Sequence, residues 1–222
     1  MLLEIKNIKK TFGKEQVLKD ITFSAEGGTC VGILGGNGCG KSTLLSILAG
    51  VLKPDGGSMI LDGHDLFGTA EWHRHNVGYV PQGTPLLEEL SAKDNLRLWY
   101  SDRKMKEELD GGVLSMLGIG EFLKVPVRRM SGGMKKRLSI GCAMSTLPPV
   151  LLMDEPCAAL DLGCKGNILS YVETYKKRGG LVILTSHDEM ELSTCDRWFL
   201  IKDGFINEYL YDGNIDNLVK SL

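Results

Sequence analysis

Residues Gly35-Gly36-Asn37-Gly38-Cys39-Gly40-Lys41-Ser42 fit, at every fixed position, the pattern of a loop that wraps a phosphate chain. The apolar run Cys30-Val31-Gly32-Ile33-Leu34 precedes this loop, and the helix-like segment Thr43-Leu44-Leu45-Ser46-Ile47-Leu48-Ala49 follows it. Strand, glycine-rich turn and helix in that order commit the chain to an α/β unit with a phosphate site at the turn. The glycines allow the backbone amides to converge, and the helix N-terminus adds its dipole at the same spot. Lys41 is placed to reach the β- and γ-phosphates, and the hydroxyl of Ser42 to ligate Mg²⁺. The loop therefore reads as a nucleoside triphosphate site.

Two further apolar runs, 150–153 and 181–185, are continuous like 31–34, as expected of parallel strands covered on both faces. Each ends on residues that do phosphate chemistry: the glycine-rich loop, Asp154-Glu155, and Ser186-His187-Asp188. Parallel strands present their C-termini along one edge, so these motifs are expected to meet there. Asp154 would hold Mg²⁺ through water, and Glu155 would polarise the attacking water. The alternating residues Leu3, Ile5, Val17, Leu18, Ile21 and Phe23, and the patch 58–63, predict short antiparallel strands at a sheet edge. Between them, 84–147 has no strand-like run. Helical composition over 91–100, 102–109 and 135–147 predicts a helical lobe inserted into a core made of 1–83 and 148–222. A short helix-like piece is expected at 215–222.

A net charge of -2 gives no general attraction to nucleic acid, so no nucleic-acid partner is expected, and Lys135-Lys136-Arg137 reads as a solvated helix face. His73-Arg74-His75 reads as a surface turn. No run reaches the ~20 apolar residues of a membrane span, and 1–6 lacks the pattern of a signal peptide. A cytoplasmic location is expected, with any membrane attachment supplied by another polypeptide. The cysteines show no C-x-x-C or zinc spacing and read as small buried hydrophobes, Cys39 excepted because it lies inside the loop.

Taken together, the motifs resemble those of the nucleotide-binding subunits of ATP-binding cassette (ABC) transporters over essentially the whole chain. The most specific is Met130-Ser131-Gly132-Gly133-Met134, similar to the family's signature sequence. Gln82, in Gly78-Tyr79-Val80-Pro81-Gln82, matches the Q-loop, Ala159-Leu160-Asp161 the D-loop and His187 the switch histidine. Phe12 sits where the family stacks an aromatic ring on adenine.

The resemblance implies an α/β P-loop NTPase (RecA-like) core with a parallel sheet, an antiparallel β edge subdomain and an inserted α-helical subdomain. It implies two cassettes, identical or different, facing head to tail around two ATP molecules. Gly35, Gly36, Asn37, Gly38, Cys39, Gly40, Lys41, Ser42, Thr43, Phe12 and Asp161 would contact nucleotide, as would Ser131, Gly132 and Gly133 of the facing chain. Glu155, His187 and Gln82 would be catalytic, with Ser42, Gln82 and Asp154 at Mg²⁺. It implies permease subunits as partners, and peripheral attachment through them to the inner face of the cell membrane. Leu86, Leu87, Leu90, Trp99 and Tyr100 are candidates for that docking. The Ser-Gly-Gly-Met form of the signature resembles an exporter branch. Importers, and soluble ABC ATPases of an iron–sulfur assembly type, remain alternatives.

Overall fold

The computed structural model describes residues 1–158, 160–214, 217, 218 and 220. The readings for Ala159 and for most of 215–222 fall outside these residues. In chain order the first elements are β1 (Leu2–Phe12), β2 (Glu15–Glu26), β3 (Cys30–Leu34), α1 (Lys41–Leu48), β4 (Gly56–Leu61) and β5 (His64–Asp65). There follow α2 (Ala70–Asn76), β6 (Val77–Val80), α3 (Ala92–Arg97), α4 (Asp102–Gly111), α5 (Val113–Met116) and α6 (Gly132–Ala143). The last are β7 (Val150–Asp154), α7 (Leu162–Lys177), β8 (Leu181–Thr185), α8 (Glu189–Leu192), β9 (Arg197–Lys202) and β10 (Phe205–Tyr209).

The ten strands form one sheet in the order β5-β4-β1-β2-β10-β9-β3-β8-β7-β6. The half from β9 to β6 is parallel, and β5, β4, β1 and β2 are antiparallel. Every residue of β3, β7 and β8 is buried, which is why their sequences are apolar without alternation. On one face α1 and the antiparallel strands close a core around Ile33, Leu44, Leu48 and Ile183. On the other face α7 and the helices of 84–147 pack around Leu138, Ile140, Leu151 and Val172. Fully burying such a side chain contributes about 1.5–3 kcal/mol, so these two layers fix the sheet between them.

Strands β1 and β2 are longer than the sequence suggests, at 11 and 12 residues, and lie inside the sheet rather than at its edge. Leu3, Ile5 and Ile8 of β1 are all buried although the last interval is three residues. A register shift between Ile5 and Ile8 accounts for it, with Asn7 at φ 52° supplying the extra residue of a bulge. A pattern read at period two breaks at that point, and the strand looks short.

Two further readings change. Lys135, Lys136 and Arg137 do not share a solvated face, because consecutive helical residues point about 100° apart. Lys135 pairs with Glu88 at 3.2 Å, Lys136 is only 4% exposed, and the Arg137 guanidinium lies 5.1 Å over the Phe122 ring and donates to Leu117 O. His73 belongs to α2 rather than to a surface turn. Its ring is buried and its Nε2 donates to Leu48 O at 2.8 Å, because that short helix needs one inward side chain to fasten it to the end of α1.

Candidate active site

The phosphate loop joins β3 to α1. Of the longer helices, α4, α6 and α7 begin on a side-chain cap, in which Ser101, Ser131 and Asp161 accept from backbone amides. Helix α1 instead begins on Gly40, at φ 108°, with no side chain to satisfy its first-turn amides. Those donors remain directed at the loop, the arrangement an anion requires. A Cβ at Gly40 would lie 2.7 Å from Leu18 of β2, so only glycine lets the loop sit against the sheet there. At Gly35 (φ 152°) the space a Cβ would take holds the Cys39 sulfur, so that thiol turns inward beneath the loop. Asn37, Gly38 and Ser42 are exposed, and Thr43 is half-buried. The Lys41 ammonium, nearly buried, is folded onto the loop's own carbonyls, donating to Gly35 O at 2.8 Å and Gly36 O at 3.1 Å. A depression of about 410 Å³ runs beside the loop, between β2 and the β9–β10 turn.

The next two strands over, β8 and β7, deliver the polar residues. Their register sets Asp154 directly beside Thr185. The Thr185 hydroxyl donates to Asp154 Oδ1 at 2.5 Å and accepts from the Glu155 amide at 3.1 Å. Glu155 takes φ 46°, a left-handed conformation that turns its carboxylate away from the strand direction. Its Oε2 accepts from Gln82 Nε2 at 2.8 Å, so the residues just after β6 and β7 are joined. His187 is exposed just beyond β8. Desolvation by partial burial and the nearby Lys41 ammonium hold its pKa below the ordinary imidazole value, against the opposing pull of Glu155. The loop, Asp154, Glu155, Gln82 and His187 thus gather at one sheet edge.

Ser131, Gly132, Gly133 and Asp161 form a second group. Ser131 Oγ accepts from Met134 N at 3.2 Å, which occupies the hydroxyl at its own helix. The space beside Gly133 is filled by the Cys164 sulfur, and a Cβ at Gly132 would lie 3.6 Å from Leu160. The starts of α6 and α7 are therefore packed together, with Ser131, Gly132 and Asp161 exposed. Hydrogen bonds from the Cys164 amide and thiol lower the Asp161 pKa. Phe12 is exposed at the end of β1, with the Lys10 ammonium 5.6 Å from its ring centre.

Three participants were invisible in the sequence. Thr185 looked like the last residue of a buried strand. Glu191 is 2% exposed, accepts from the Cys157 amide at 2.5 Å, and has its pKa raised by burial. Lys136 donates to Pro81 O at 2.9 Å and Gln82 O at 3.2 Å, and burial lowers its pKa against the pull of Asp154 and Glu191.

Residues 18–158 match the sequence model of the family described as ABC transporter. That span contains the loop, Gln82, the Ser131 segment and Asp154-Glu155. The chain belongs to the ABC transporter family. The cassette is 35% identical over 212 residues to the linearmycin resistance ATP-binding protein LnrL of Bacillus subtilis (strain 168), covering 91% of this chain and 67% of that protein. It is 31% identical over 218 residues to the lantibiotic transport ATP-binding protein SrtF of Streptococcus pyogenes, covering 96% and 93%. Its fold is similar to the solved ATP-binding subunit of an ABC transporter, with a TM-score of 0.86 at 26% identity over 100% of this chain and 99% of that one. A dimeric cassette in a post-hydrolysis state, bound to ADP and phosphate, matches with a TM-score of 0.80 at 27% identity over 93% and 97%. The cassette binds ATP and hydrolyses it to energise transport. The expected mixed α/β fold, with a parallel core and an antiparallel β subdomain, is the one found.

Proposed function

We propose that this cassette pairs head to tail with a second one, sandwiching two ATP molecules beneath a membrane permease, and that the pair drives export. The observation that carries the reading is the uncapped start of α1, which faces the same sheet edge as the linked Asp154, Thr185, Glu155 and Gln82.

Triphosphate binding replaces the loop carbonyls as partners of Lys41, and the open amides of the loop and α1 cradle the phosphate oxygens. Among the described residues no three His, Cys, Asp or Glu side chains stand together as a metal cage. That suits Mg²⁺, which keeps water and phosphate ligands and needs few from protein. Ser42 and Asp154 would hold it with Gln82, and when bound it neutralises charge on the phosphates. Glu155 accepts the proton of the attacking water once Gln82 releases its Oε2. His187 donates a ring N–H hydrogen bond to the γ-phosphate. Phe12 stacks on the base. Ser131, Gly132 and Asp161, exposed at the starts of α6 and α7, meet the nucleotide held by the partner, with the buried Gly133 behind them.

Export is supported by relatives whose names state resistance, lantibiotic transport or Nod factor export, although a molybdenum import ATP-binding protein of Rhizobium etli is 36% identical over 182 residues. No described helix is long and apolar enough to cross a membrane; in this reading the permease holds the cassette at the inner face. Leu87, Leu98 and Trp99 are 53%, 59% and 63% exposed on the helical lobe and offer apolar area for it. Of the other docking candidates, Tyr100 is buried, its hydroxyl donating to Gly141 O, and Leu86 and Leu90 are half-buried.

Purifying the tagged cassette from detergent-solubilised membranes tests the assembly. A multi-span membrane protein should co-purify in fixed ratio and stimulate ATP turnover. Recovery only from the soluble fraction, together with soluble scaffold proteins, would contradict it.

A further inference from the structure

Among the described residues, Lys136 is a buried cation with no carboxylate within ion-pair distance. The residue is 4% exposed, and its ammonium donates to two carbonyls, Pro81 O at 2.9 Å and Gln82 O at 3.2 Å. A buried ammonium is expensive to desolvate, and a neutral side chain would fill the same space without that penalty. The contacts it makes therefore matter more than its packing. They fall on the segment linking β6 to the helical lobe. Four residues back along α6 from Lys136 is Gly132, so one helical turn separates the ammonium from the exposed start of α6. On the other side, Gln82 reaches Glu155 Oε2 at 2.8 Å. The field of Asp154, Glu155 and Glu191 falls on the same ammonium.

From this chain of contacts we propose that Lys136 is a positioning residue, tying the start of α6 to the Gln82 backbone and through the Gln82 side chain to the Glu155 carboxylate. A rotation of α6 drags two carbonyls with it, because a charge-assisted bond to both resists stretching more than van der Waals contact does. The Gln82 amide then slides relative to Glu155, releasing or reclaiming Oε2. Docking of a second nucleotide at the start of α6 is in this way felt at the carboxylate of the same chain. The inference rests on the reading of Glu155 as base and of the α6 start as a nucleotide contact.

The test compares K136M, K136Q, K136R and Q82A with K136M/Q82A in the purified full-length cassette. It reads ATP turnover, ATP binding by a fluorescent analogue, and thermal melting. The proposal expects K136M to lower kcat about tenfold while analogue affinity stays within about threefold, and K136R to restore most of the loss. On the Q82A background K136M should change kcat by less than about twofold, since the route is already cut. Full additivity in the double variant, or a K136R as slow as K136M, would overturn it, because a merely structural lysine gives independent losses. Should K136M melt below the assay temperature, K136Q, which keeps a donor without the charge, enters the same cycle with the same criteria. Wild-type kcat in K136M beside a dead E155Q would sink this inference alone. Wild-type turnover in E155Q would instead sink the reading on which it rests.

Discussion

Thr185 shows how much of this site depends on a single hydroxyl. It donates to Asp154 Oδ1, accepts from the Glu155 amide, and has no exposed surface. Thr185→Val keeps the shape and removes both interactions. A hydrogen bond to a charged group contributes about 1.5–3 kcal/mol, so the freed Asp154 carboxylate should lower kcat by roughly ten- to a hundredfold. The Glu155 amide keeps Thr185 O as a second acceptor at 3.2 Å, so the fold should survive with a modest drop in melting temperature. A turnover assay with a melting curve checks both, and unchanged kcat would contradict the role. At this scale the sequence showed the acids, the lysine, the glutamine and the histidine, because each sits in a local motif. It hid Thr185 and Glu191, whose roles arise from the β7–β8 register and from the packing of α8, which no local pattern reports.

Among the elements, α2 gives the clearest pH dependence. Burial lowers the pKa of His73, with the bond to Leu48 O opposing. The carbonyl can only accept, so Nε2 carries a proton, and the lowered pKa favours the form in which Nδ1 carries none. The unfolded chain thus holds the proton more tightly than the native one. Stability is full above the ordinary imidazole value of about 6.5 and falls as pH drops through it toward the lowered native value. His73→Gln keeps a donor without titrating in this range. The wild-type urea midpoint should fall further between about pH 7 and pH 5 than that of H73Q; parallel curves would contradict the assignment. Elements with continuous apolar runs were legible, since burial on both faces leaves only one reading. The bulge at Asn7 and the inward turn of Lys136 were not, because each departs from the periodicity by which faces are read.

For the whole molecule, the sheet order brings the loop after β3, the acids after β7 and the histidine after β8 to one edge, while the starts of α6 and α7 expose Ser131, Gly132 and Asp161 as a second surface. A parallel sheet forces the first gathering, and the sequence was enough to foresee it. The second surface gains a use only in a pair, which is where the resemblance and the dimeric relative add what one chain does not display. The central claim is that Glu155 completes a magnesium–nucleotide site that closes two cassettes on each other. Sedimentation of Glu155→Gln with Mg²⁺ and ATP, with phosphate release followed in the same sample, tests it most directly. The account predicts a stable ATP-bound dimer with turnover at least a hundredfold below wild type; a monomer that hydrolyses ATP at the wild-type rate would contradict it.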